Sequence, residues 1–68
     1  MYWSYLINDN NEVLTFETNK DINKMVSDYN ELIGLKFFSQ FVGYTKIFIS
    51  NKNPQENPIT NKLFELVF

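Results

Sequence analysis

Between Thr18 and Gly34 the apolar residues recur at helical spacing. At about 100° per residue, Ile22, Met25, Val26, Tyr29, Leu32 and Ile33 fall within an arc of roughly 120°. This stripe predicts one amphipathic helix over about 19–33. Thr18 followed three residues later by Asp21 resembles a capping box with Asp in place of Glu, and an acid in the first turn suits the helix dipole. Gly34 stands where a left-handed residue would end the helix, and the apolar residues beyond it, from Leu35 to Val42, leave the stripe.

The remaining segments favour strands. Tyr2 to Asn8 is aromatic and branched, Asp9-Asn10-Asn11 supplies three turn formers, and Glu12 to Thr18 resumes strand-like composition, so a β-hairpin is expected. Alternation puts Trp3, Tyr5 and Ile7 on one side of the first strand and Tyr2, Ser4 and Leu6 on the other. The sides carrying Trp3 and Phe16 are taken as inner. Leu35 to Val42 fits either a strand bent at Ser39-Gln40 or a short helix ended by Gly43, and its phenylalanines favour the strand. Tyr44 to Ser50 is the plainest strand, with Thr45, Ile47 and Ile49 opposite Tyr44, Lys46, Phe48 and Ser50. Asn51 to Pro58, with two prolines and three asparagines, is expected as a surface loop. Asn61 to Phe68 is taken as a strand with Phe64, Leu66 and Phe68 on one side, the competing expectation being a short helix carrying Leu63, Leu66 and Val67.

The expected fold is therefore α+β. A small single-layer, mainly antiparallel sheet, in the order ββα followed by two or three strands, carries the helix on one face. With 68 residues the chain has room for one domain spanning 1–68. A domain this small usually needs a staple, a metal, a partner or a dense core, and the absence of cysteine and histidine removes disulfides and the commonest transition-metal ligands. Composition supplies the core instead: 44% of residues are hydrophobic and 18% aromatic.

Charge narrows the partners. Eight acids face six lysines for a net charge of −2, and arginine is absent, so the basic footprint of nucleic-acid binders is missing. Plentiful Asn, Lys, Ile, Phe and Tyr without Ala, Arg or His is the usage of AT-rich coding sequence, as phages and AT-rich bacteria carry it. No run approaches the ~18 apolar residues of a membrane span, no signal-like basic start precedes the apolar run at Tyr2 to Ile7, and no glycosylation sequon occurs. A cytoplasmic setting is expected, with no membrane.

Catalytic constellations are scarce. Without His or Cys, the Ser-His, Cys-His and histidine-metal arrangements cannot form within the chain. Asp28 and Glu31 are neighbours at i and i+3 but lie off the apolar stripe, as a solvated pair would. Asp9-Asn10-Asn11-Glu12 begins like a calcium loop, yet Val13, Leu14 and Lys20 occupy the positions needing an oxygen ligand, a glycine and a glutamate. Gly34 and Gly43 are the only glycines, too few for a phosphate-cradling loop. No catalytic residue, metal, cofactor or small-molecule substrate is expected, and the chain is read as a non-enzyme.

What remains is a question of sheet faces. If Trp3, Leu14, Phe16, Ile47 and Ile49 meet the helix, the opposite face presents Tyr2, Val13, Thr15, Tyr44, Lys46 and Phe48. Tyr2, Tyr44, Lys46 and Phe48 are the candidate partner-binding residues, since exposed aromatic patches mark interaction sites. The competing possibility is that Leu35–Val42 or the C-terminal segment folds over that face. The expected function is a small protein-binding domain: a homodimer, an adaptor, or an inhibitor of a larger protein, such as a phage or mobile-element accessory protein blocking a host defence nuclease. The alternative is single-stranded nucleic-acid binding by the same aromatics with Lys36 and Lys46, although Gly43-Tyr44-Thr45-Lys46-Ile47-Phe48 does not match the RNP1 pattern.

Overall fold

A computed structural model describes residues 1–56 and 61–68. Asn57 and Pro58, expected as the end of the long loop, lie outside the described residues. Four strands, β1 (Tyr2–Asn8), β2 (Val13–Asn19), β3 (Tyr44–Ser50) and β4 (Lys62–Val67), form one antiparallel sheet in the order β2-β1-β3-β4. One helix, α1 (Ile22–Gly34), packs on a single face. This is the α+β arrangement expected from the residue pattern. Leu6, Ile47 and Ile49 from the sheet meet Met25 and Tyr29 from α1, and Phe38 closes the cluster. The other stripe residues, Ile22, Val26, Leu32 and Ile33, pack against it.

The hairpin turn is closed by Asn8, whose Oδ1 accepts the N–H groups of Asn10 and Glu12 at 3.0 and 2.9 Å. Asn11 takes the left-handed conformation at φ 59°, which asparagine tolerates. Both ends of the helix differ from expectation. Thr18 stays in β2, and Asp21 is the N-cap, accepting from the N–H of Asn23 and Lys24 at 3.0 and 3.2 Å. The cap sits closer to the helix because Asn19 Oδ1 first holds the Asp21 N–H at 2.9 Å, turning the chain out of the strand. At the other end Gly34 is still helical; the left-handed residue is Lys36, at φ 58°, whose N–H donates to Ile33 O at 3.0 Å. Phe37–Gln40 then forms a 3-10 turn rather than a strand, driving Phe38 into the core.

Facing differs in β1. Cross-strand partners share a face, and Leu6 pairs with Leu14 and Ile47 on the helix side, so Tyr2, Ser4 and Leu6 are inner and Trp3 is outer. Ser4 is the polar member of that inner row. Its Oγ accepts the Glu17 N–H and donates to Glu17 O, both at 3.0 Å, substituting for ladder bonds where the β1–β2 register slips. The Ser4 hydroxyl and the Tyr29 phenol lie 2.7 Å apart in a buried hydrogen bond that ties helix to sheet. Burial raises the Tyr29 phenol well above its ordinary 10.0, the Ser4 hydrogen bond opposing it only in part.

Candidate partner-binding surface

The four residues expected to form one exposed face are divided by the fold. Tyr2 belongs to the inner row of β1 and packs against the core. Tyr44 also lies on the helix side, because the β1–β3 ladder is irregular between Leu6 and Asn8 and pairs Asn8 with Tyr44. A one-residue slip reverses a side chain, and that irregularity takes Tyr44 off the face that Lys46 and Phe48 keep. Tyr44 instead lines an open hollow of about 330 Å3 with Ile33, Lys36, Phe38, Ser39 and Phe68. Its walls are mostly apolar, and its size is at the small end of ligand sites.

Lys46 and Phe48 do share the outer face, but they are not equivalent. Lys46 is exposed, and its Nζ pairs with Glu65 Oε1 at 2.7 Å. Phe48 is 7% exposed and Tyr5, stacked on it at 5.6 Å between ring centroids, is 0% exposed. Leu35–Val42 packs on the helix side through Phe38 and Phe41, whereas the C-terminal strand sets Lys62 Nζ over the Phe48 ring, 4.2 Å from its centroid. The chain after β3 turns back: the Lys52 N–H donates to Ser50 Oγ at 3.0 Å, Pro54 is buried, and Gln55 Nε2 reaches Thr15 Oγ1 on β2 at 3.3 Å. A segment running from β3 to β2 must cross β1, so this loop roofs Tyr5. The roof gives its phenol no hydrogen bond: Tyr5 Oη is the buried side-chain oxygen without a partner among the described residues. With both rings covered, neither is open for stacking on a base.

Exposed apolar side chains lie on the segment between α1 and β3, at Leu35 and Val42, and along one edge of the sheet. β4 pairs with β3 alone, and Leu63, Phe64 and Val67 are 45, 43 and 65% exposed. The Phe68 N–H donates to Thr45 O at 2.9 Å, which fixes the phase of the ladder: Phe64, Leu66 and Phe68 turn their backbone groups to β3, and Glu65 and Val67 turn theirs outward. The opposite edge, β2, shows Glu17, Thr18 and a single exposed large apolar side chain, Leu14. Nothing in the residue pattern separated these two edges, because strand order is a tertiary property.

Among the described residues no group of three acidic side chains stands where it could hold a metal ion, and no helix is long and apolar enough to cross a membrane. No protein-family model, curated protein or solved structure matches the chain.

Proposed function

We propose that this chain is a small non-enzymatic protein-binding domain that takes its partner at the open edge of β4. One observation carries the reading: a six-residue strand with one row of backbone groups directed outward and Leu63, Phe64 and Val67 exposed beside it. Edge strands of this kind are templates for strand addition, in which main-chain bonds supply affinity and flanking side chains supply selectivity. A homodimer, an adaptor and an inhibitor of a larger protein all use such an edge. The AT-rich residue usage supports a phage or mobile-element accessory protein acting on a host enzyme, and the lack of cysteine supports a cytoplasmic setting.

Val67→Pro tests the edge. The Val67 N–H faces outward, so proline there removes no bond to β3 yet blocks an incoming strand. The expected result is that proteins co-purifying with the tagged wild-type chain are lost with V67P while thermal unfolding stays cooperative. Unchanged co-purification by a folded V67P chain would sink the reading.

A further inference from the structure

The β4 edge carries more than apolar exposure; it carries a charge pattern that matches its own reverse. Along the β3–β4 ladder, Ile49 pairs with Phe64 and Ser50 pairs with Lys62, so β4 holds one extra residue, Leu63, at that point. In a regular strand, residues three apart face opposite sides. The extra residue cancels that, placing Lys62 on the same outer face as Glu65: Lys62 Nζ sits 4.2 Å from the Phe48 ring centroid, and Glu65 pairs with Phe48 across the ladder. The same count turns the Lys62 backbone groups outward like those of Glu65.

We propose that β4 pairs antiparallel with β4 of a second copy of this chain, about a two-fold axis between Leu63 and Phe64. This deepens the protein-binding reading and rests on it. The axis sets Lys62 opposite Glu65 of the second copy, and Glu65 opposite its Lys62, as two hydrogen-bonded pairs with opposite charges on one face. Between them, Leu63 and Phe64 of each copy meet Phe64 and Leu63 of the other, covering the half-exposed apolar pair that the monomer leaves open. Neighbouring registers lose this match. An axis through Glu65 opposes two carboxylates, one through Lys62 opposes two ammonium groups, and one through Leu66 takes Lys62 out of the ladder. A two-fold interface requires one strand to be complementary to itself, and Lys62 and Glu65 meet that requirement at the spacing the bulge creates. The product is an eight-stranded continuous sheet.

Charge reversal in trans provides the test, with mass read by light scattering or sedimentation between about 1 μM and about 1 mM chain. The wild type is expected to double its mass with rising concentration. K62E alone and E65K alone should each remain monomeric across that range, because self-pairing then opposes like charges twice. An equimolar mixture of the two variants should recover the dimer, since each supplies the charge the other lacks. Circular dichroism and thermal unfolding of each variant confirm that its fold persists, and the recovery on mixing cannot arise from misfolding. A wild-type chain that stays monomeric at all concentrations overturns the self-pairing, as do single variants that dimerise like the wild type. A mixture that stays monomeric while the wild type dimerises overturns this register. The broader reading fails separately, by the V67P experiment, so a monomer that still loses its partners on V67P would leave protein binding intact with a different occupant.

Discussion

The two faces of the sheet are covered by different means. On the helix side, α1 and the Phe37–Gln40 turn bring Met25, Tyr29 and Phe38 onto Leu6, Ile47 and Ile49, and the buried phenol of Tyr29 is hydrogen-bonded to Ser4. On the outer side a short loop carrying Pro54 roofs Tyr5, Lys62 lies over Phe48, and the buried phenol of Tyr5 has no partner among the described residues. Among the described residues the Tyr29 phenol is satisfied and the Tyr5 phenol is not. With both faces occupied, the β4 edge is one of the apolar surfaces that the described residues leave open, beside Leu35 and Val42 on the segment after α1.

The largest test of this contrast is Ser4→Ala. It strips partners from three groups at once, the Tyr29 hydroxyl and the Glu17 N–H and C=O. Each buried polar group left unmade costs about 1–3 kcal/mol, and the Glu17 groups are only part-buried, so the expected loss is about 3 kcal/mol in urea unfolding. For a chain whose stability is of the order of 5 kcal/mol, that is most of the margin. A loss under about 0.5 kcal/mol would mean that the hydroxyl hub does not hold the helix to the sheet.

Alkali acts on both faces through the same chemistry. Burial raises Tyr29 and Tyr5 above their ordinary 10.0, so the folded chain keeps protons that the unfolded chain releases. The folded state then binds more protons than the unfolded one above that pH, and stability must fall as pH rises. The contribution is full below about pH 10 and declines from there toward the raised folded values. Tyr29→Phe should flatten the decline more than Tyr5→Phe, as read from urea midpoints between neutral pH and strong alkali; equal slopes in all three chains would contradict it.

Tyr5→Phe has the opposite sign from Ser4→Ala at neutral pH. Removing a buried hydroxyl that no described group satisfies relieves its desolvation, and the ring keeps its stack on Phe48, so stability should rise by about 1 kcal/mol. Destabilisation of similar size would show that the phenol is satisfied after all. The pair of tyrosines thus reads out the two faces by sign.

The same contrast explains what the sequence made legible. The helix stripe was plain because six apolar residues at period 3.6 have one consistent burial solution, and all six meet the core. β1 was ambiguous because both of its sides are apolar. Tyr5 is fully buried beneath a loop whose residue types signal a solvated turn, so Trp3 and Leu6 competed for the inner side with nothing local to decide between them. Each ladder also slips once, and each slip shifts the alternation that strand reading relies on. That is why Tyr44 left the face of Lys46 and Phe48, and why Lys62 joined the face of Glu65. The strand character of Lys62–Val67 was legible, whereas its place at the edge depended on pairing between segments distant in sequence.

The smallest expected effect lies where the outer face meets the edge. Lys46 and Glu65 are both about half-exposed, at 46 and 47%, so their 2.7 Å contact is screened by water and salt. Lys46→Ala should cost under about 1 kcal/mol in the monomer, with less effect at high salt. Its value as a test is directional. Glu65 freed from Lys46 remains opposite Lys62 of a second copy, so K46A should leave self-association intact while E65K abolishes it. Loss of association in both would assign the role of Glu65 to shaping its own strand rather than to meeting the other copy.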